Sequence, residues 1–343
     1  MTNDKIQMTK EIPAAPFVIS DLDFAIPWSL VGHWWVIRHS LKGVTMSAAI
    51  TSLGKLVVAS DTAFSTNLLR LDFHDFDHGV TLELKDCNST RGKLDRDDAR
   101  VRQSRTVVAP RIRCQPTAVE LAAILAWATG GTPSGSGTVT YPLANTAAAR
   151  SLWYLPSNGT GWQLQNCAVD SMTIRGSSGE PLDVELALIA QTFARTSSSY
   201  PATSLDISSQ PFIFSDLGLT FGGTATQVRE FSMSLRNGID RSRFLNSLTL
   251  TALNKLHRTI TWSLDMPAGD YDANWNDALS AGVTSVATFT GPGTQVLSIT
   301  SNAVRYVPRN PNVPFHAESF LRLEGEAYSA DGTSDPLSIT LHE

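Results

Sequence analysis

Apolar and polar residues alternate along most of the chain after Met46. Leu182, Val184, Leu186 and Leu188 are spaced by Asp183, Glu185 and Ala187, and Phe231, Met233 and Leu235 by Ser232 and Ser234 between Glu230 and Arg236. Ile260, Trp262 and Leu264 repeat the pattern with Thr259, Thr261 and Ser263, as do Leu337, Ile339 and Leu341 with Ser338 and Thr340. A period of two sends successive side chains to opposite faces, so these segments read as strands with one face buried and one exposed. Two stretches break the period. From Thr117, preceded by Pro116 and with Glu120 in capping-box spacing, Leu121, Ile124, Leu125 and Ala128 recur at helical intervals until Gly130, which predicts a capped helix. A second helix is expected after Asp270 or Asp272, with Trp275 and Leu279 four apart and Gly282 ending it.

The Gly/Ser/Thr/Pro run from Gly130 to Gly137, the Ser/Thr-rich stretch from Thr196 to Gln210 and the three prolines between Pro308 and Pro314 read as loops. On either side of the second loop the same order of elements recurs. The first side runs strand, charged loop from Asp86 to Ser104, strand, helix, Gly-rich loop and strands around Val169 and Val184. The second runs strand around Met233, loop from Asn237 to Asn246, strands through Leu250 and Trp262, helix near Trp275, Gly291 to Gly293 and strands around Ile299 and Leu323. Leu84-Lys85-Asp86 followed by Arg91 matches Leu235-Arg236-Asn237 followed by Arg241, and Asn166-Cys167-Ala168-Val169 matches Ser301-Asn302-Ala303-Val304. The expected organisation is an extension over residues 1–45, a β-rich unit over 46–195, a linker over 196–210 and a second copy of the unit over 211–343.

Composition narrows the function classes. Of 343 residues, 42% are hydrophobic and 17% charged, which excludes both a disordered chain and a coiled coil. Lys plus Arg is 27 against Asp plus Glu 32, a net charge of -5, so the whole surface is not built to grip nucleic acid. Cys87, Cys114 and Cys167 are distant and without a CxxC pair, which points to buried thiols in a reducing cytosol rather than to disulfides or zinc. Residues 1–11 lack the pattern of a secretory signal, and the tryptophan-rich stretch from Ile26 to Ile37 falls short of the about 20 residues of a membrane span, so it reads as a packing arm.

Candidate chemistry is sparse. Asp72, His74, Asp75, Asp77 and His78 form the densest set of potential metal ligands, but a strand divides them between two faces, and an exposed polar strand or turn accounts for them as well. Asp265, Asp270, Asp272 and Asp277 lack the ligand spacing and glycine of a calcium loop and read as helix caps. The Gly130–Gly137 run has neither the lysine of a phosphate-binding loop nor a nucleophile elbow. No cofactor is expected. The segment from Lys85 to Arg105 carries Arg91, Lys93, Arg96, Arg100 and Arg102 interleaved with Asp86, Asp95, Asp97 and Asp98, and almost nothing apolar. It reads either as a solvated loop or as an arm, disordered in the free chain, that orders on a neighbouring subunit.

Several stretches in order carry a family resemblance: Asp86-Cys87-Asn88-Ser89-Thr90-Arg91-Gly92-Lys93, Ala126-Trp127-Ala128-Thr129-Gly130-Gly131, Leu164 to Ile174, Gln210 to Asp216, Glu230 to Gly238 and Leu256 to Leu264. From about Ala59 onward the chain resembles siphophage-type major tail tube proteins. The resemblance implies a mainly β, non-enzymatic virion protein: a duplicated β-sandwich or partial-barrel unit with one helix each, whose strands join those of neighbours into a large ring β-barrel. It further implies trimeric pseudo-hexameric or hexameric rings stacked into a tube, assembled in the host cytoplasm, with no membrane insertion. The implied partners are tape measure, tail tip and tail terminator proteins, with DNA passing through the bore. Asp183 and Glu185, with Glu324 and Glu326 as their counterparts, are then the expected bore-facing acids, and the Lys85–Arg105 segment the expected contact between rings. The rival readings are a β-sandwich hydrolase built around Asp72 to His78 and a carbohydrate-binding module using its tryptophans.

Overall fold

The structure is a computed structural model describing residues 39–41, 44–46, 54–59, 68–86, 101–156, 161–196, 209–267, 282–308 and 319–342. The chain divides into two units, Met1–Ala48 and Ala49–Glu343. In the first, β1 (His39–Leu41) and β2 (Val44–Met46) pair antiparallel.

The second unit opens with β3 (Lys55–Ala59), β4 (Leu68–Leu71), β5 (Asp75–Asp77), β6 (Val80–Asp86), β7 (Val101–Val108) and β8 (Arg111–Cys114), which lead to the helix α1 (Ala118–Thr129). There follow β9 (Thr138–Tyr141), β10 (Arg150–Leu155) and two long strands, β11 (Gly161–Ser177) and β12 (Asp183–Thr196). Then come β13 (Leu217–Phe221), β14 (Thr224–Thr226), β15 (Glu230–Arg236) and β16 (Thr259–Pro267). The chain ends with β17 (Val283–Thr290), β18 (Val296–Pro308), β19 (Phe320–Ala327) and β20 (Ser338–His342). The protein is mainly β, as the alternation predicts, and its antiparallel network is not closed into a barrel.

Hydrogen-bonded neighbours give an eight-strand order, β5–β8–β12–β11–β15–β16–β19–β18. The first half of β11 turns away from this row and pairs with β10 in the order β4–β3–β10–β11, while the first half of β18 does the same in the order β14–β13–β17–β18. The register shift between Val169 and Ser171 marks where β11 passes from one arrangement to the other. The half-row β5–β8–β12–β11 is thus matched by β15–β16–β19–β18, and the order β4–β3–β10–β11 by β14–β13–β17–β18, one set on either side of residues 197–208.

A pair of glycines shows how closely the halves repeat. Gly79 and Gly238 each lie two residues beyond the end of their strand, β5 or β15, and have φ of 55° and 59°. A Cβ on Gly79 would sit 2.0 Å from the Ala109 carbonyl oxygen, and one on Gly238 would sit 2.6 Å from that of His257. Both positions require the left-handed backbone and the missing side chain. Gly79→Ala and Gly238→Ala should each lower stability by at least about 1–3 kcal/mol from backbone strain alone, read as a drop in the urea midpoint; an unchanged midpoint in either would mean the close approach is not kept in solution.

The apolar faces share one core, in which Trp127, Trp262, Phe212, Phe231 and Phe289 are fully buried. Each buried indole donates its N–H, Trp127 to the Cys167 carbonyl at 3.0 Å and Trp262 to Ser301 Oγ at 3.0 Å. Cys114 and Cys167 are buried apolar groups, and burial pushes both thiols up. α1 begins with the expected box: the Glu120 N–H donates to Thr117 Oγ1 and the Thr117 N–H to Glu120 Oε2. Glu120 also accepts the Asp72 N–H, which ties β4 to the helix start, and burial raises its carboxyl above the usual range. At the other end Lys255 donates to the Thr129 and Ala144 carbonyls, and burial lowers its ammonium to about 8.

Three expectations change. Leu250 is not in a strand: it packs with Ala168, Ile189 and Ile239 in a small second cluster. Between β15 and β16 the Ser242 N–H donates to Asp240 Oδ1 and the Thr249 N–H to Ser247 Oγ, local bonds that compete with a ladder. The Lys85–Arg105 segment is not loop throughout, since β6 and β7 pair from Val80–Val108 to Asp86–Val101 with Glu83 opposite Arg105. Across this ladder Glu83 meets Arg105 in an exposed ion pair, while Lys85 meets Arg102. The Gly130–Gly137 run is pinned by bridges of Gly130 to Leu143 and Ser134 to Thr140. The second helix, at 270–281, and Trp275 lie outside the described residues.

Candidate functional site

The eight-strand row has two unlike faces because its residues alternate in register. On one side Cys114, Val184, Ile174, Met233, Trp262, Gly325 and Tyr306 follow one another across seven strands, and all are buried. On the other side the neighbouring register positions read Asp75, Arg113, Glu185, Thr173, Ser234, Thr261, Glu326 and Arg305. The next row reads Asp183, Arg175, Ser232, Ser263, Glu324 and Val307. The sheet thus brings all four predicted acids, Asp183, Glu185, Glu324 and Glu326, onto one polar face.

None of the four stands alone. Arg113 Nε donates to both oxygens of Asp183, at 3.1 and 2.8 Å, and leaves that side chain only 12% exposed. Arg175 lies 3.4 Å from Glu185, Arg322 lies 3.0 Å from Glu324, and the Tyr328 hydroxyl donates to Glu326 at 3.0 Å. Asp265 on β16, expected as a helix cap, instead holds Arg229, whose guanidinium also lies 4.2 Å from the Phe320 ring. The described strands place eight carboxylates on this face (Asp75, Asp77, Asp183, Glu185, Glu230, Asp265, Glu324, Glu326) against six guanidinium groups (Arg111, Arg113, Arg175, Arg236, Arg305, Arg322). A concavity of about 730 Å³ opens on it, lined by Arg113, Arg175, Asp183, Glu230, Asp265 and Arg322 among others. Chemically this is a hydrated, nearly charge-balanced surface on which Arg113, Arg175 and Arg322 are held by carboxylates, suited to weak contact with a polyanion.

The arginines were missed from sequence, although the signal was there: Arg111-Ile112-Arg113-Cys114 is itself an alternating segment. The Asp72–His78 set is dispersed. Asp72 uses its backbone on Glu120, Asp75 and Asp77 lie on the polar face, and the His78 ring sits 4.7 Å from that of Trp162. Among the described residues no three His, Cys, Asp or Glu side chains form a group that could hold a metal. Arg102 lies on β7 opposite Lys85; Arg91, Lys93, Arg96 and Arg100 fall outside the described residues, as do Asp270, Asp272 and Asp277. No described helix is long and apolar enough to cross a membrane. A family model described as Phage tail tube protein matches residues 53–339. No curated protein matches the chain.

Proposed function

Since the chain belongs to the phage tail tube protein family, we propose that it polymerises as stacked rings and that the polar face of its eight-strand row lines the bore through which DNA leaves. The family makes it a structural component of the phage tail, a tube assembled from many subunits. The observation that carries the finer reading is the continuity of that face: acids from both halves stand on one surface, with the core behind them. The repeated strand order favours rings of three chains with two units each, residues 46–195 and 211–343 joined by 196–210, over rings of six chains. Paired arginines suit a channel, because each phosphate contact by a free cation strengthens binding and would slow release. The charged stretch with Arg91, Lys93, Arg96, Arg100 and Arg102, which follows β6 in sequence, serves contact between rings. Assembly takes place in the host cytoplasm, and the ends of the tube meet the tape measure, tail tip and tail terminator proteins. Negative-stain imaging of the purified full chain at rising concentration tests this reading: tubes or stacked rings are expected, and a persistent monomer would overturn it.

A further inference from the structure

Between β4 and β5 the backbone is fastened while the side chains are left without partners. The Asp72 N–H donates to Glu120 Oε1 at 2.8 Å, and the His74 N–H to the Arg113 carbonyl at 2.9 Å. Glu120 is itself buried in the capping box of α1, so the segment is held on a rigid element. Yet the Asp72 and Asp75 carboxylates, the His74 ring and the Arg70 guanidinium make no hydrogen bond or ion pair with the described residues. A cavity of about 490 Å³ is lined by these four residues and by Phe73, Phe76 and Tyr154. The three aromatic rings are half-buried and pack on one another: Phe73 lies 6.3 Å from Phe76 and 6.1 Å from Tyr154, steeply inclined to both, and Phe76 lies 4.9 Å from Tyr154. The fold does not require these residues. Counted back from Gly79 and Gly238, the positions of Asp72, His74 and Asp75 are taken in the second half by Phe231, Met233 and Ser234, of which the first two are buried in the core.

We propose that this cavity binds a neutral sugar ring. Its size falls within the about 300–1,000 Å³ of small-molecule sites, and an aromatic wall with a few convergent polar groups is the lining such sites share. A pyranose offers both of the things that this lining asks for. One face of the sugar is a layer of polarised C–H groups, which are drawn to the negative faces of aromatic rings. Its rim is a set of hydroxyls, each able to donate and to accept. The Asp72 and Asp75 carboxylates accept, Arg70 and His74 donate, and all four find counterparts on one ligand. Two carboxylates against one guanidinium disfavour an anion such as a phosphate or a uronic acid. A purely apolar ligand would desolvate the polar groups and give them no partner. Burial raises the Tyr154 hydroxyl above its usual range, which keeps it a neutral donor beside the ring. The site gives the chain a binding activity separate from tube formation and does not rest on it.

The test uses the purified full chain and saturation-transfer NMR, with the methyl glycosides of glucose, mannose and galactose as neutral probes, glucuronate as the anionic one and benzyl alcohol as the apolar one. At least one methyl glycoside should receive saturation at millimolar concentration, strongest at the ring protons of one face, and glucuronate should receive far less. Asp72→Asn changes an exposed side chain and leaves its N–H bond to Glu120 in place, so the urea midpoint should stay where it was while binding weakens about tenfold or more. Tyr154→Ala should abolish binding, and Asp72→Asn carries the test if the tyrosine variant does not fold. Saturation of none of the methyl glycosides, of benzyl alcohol alone, or of glucuronate as strongly as of the glycosides overturns the proposal. So does glycoside binding that persists undiminished in Asp72→Asn.

Discussion

Tubes built from the triple variant Glu185→Lys, Glu324→Lys and Glu326→Lys should form normally yet release DNA about tenfold more slowly or worse, with the rate recovering as salt is raised. Each substitution moves the polar face by two charges, which turns a surface of eight carboxylates and six guanidinium groups strongly cationic. It also frees Arg175 and Arg322 from their partners. Released counterions make such binding fall steeply with salt, at a logarithmic slope of roughly −0.9 per phosphate contact. The side chains are partly exposed and on the face away from the core, so folding is little affected. Asp183 is left out because its carboxylate is nearly buried under Arg113, and its loss would mix a folding defect with a passage defect. The triple glutamine variant, which leaves the arginines unpaired but adds no new cation, should slow release much less. Normal release kinetics in the lysine variant would remove these residues from the bore.

Asp170→Ala should be the most damaging single change at the junction between the two halves, costing about 2–3 kcal/mol, because it leaves the buried Ile239 N–H without an acceptor while Arg241, half exposed, turns to solvent. The Asp170 side chain is 7% exposed and holds Arg241 Nη2 at 2.6 Å and the Ile239 N–H at 2.7 Å. Its backbone carbonyl accepts the Asn237 N–H at 2.6 Å, while Asn237 Nδ2 donates to the Ala128 and Val169 carbonyls. Asp170 and Asn237 together thus join the bulge of β11, the end of α1 and the chain leaving β15. Urea denaturation should show the lower midpoint with an unchanged slope, and Asp170→Asn should fall between the variant and the natural chain. The exposed Glu83–Arg105 pair is the control, since its removal should leave the midpoint where it was. Equal effects at the two sites would mean that burial does not set the strength of the junction.

Alternation was enough to find β12, β15, β16 and β20, and the capping box was enough to place α1 to the residue, because both signals are local. What joins strands distant in sequence was not readable. The polar face depends on Glu185 meeting Arg113 across β8, Thr173 meeting Ser234 across β15, and Thr173 meeting Glu185 beyond a one-residue shift at Asp170, none of which a local pattern announces. Acids could be proposed for the face from their strand positions, but pairing them with Arg113 or Arg175 could not, since one comes from a separate segment and the other from the far side of a turn. Gly325 interrupts the alternation of β19 for the sake of packing: a Cβ there would lie 2.7 Å from the Tyr306 ring.

The two long strands β11 and β12 have a mechanical meaning. Their ladder runs from Gly161–Thr196 to Arg175–Asp183 and crosses from one sheet arrangement into the other, broken only by the bulge between Val169 and Ser171. A pull along the strands loads every rung of that ladder at once, in shear, whereas a pull across them would part the rungs singly, as a zipper opens. The hairpin is therefore stiff lengthwise and yields at one place, the extra residue where the ladder is interrupted. Flexure of a wall made of such subunits would concentrate at Asp170, where a buried carboxylate anchored to Arg241 and the Ile239 amide acts as the rivet of the joint.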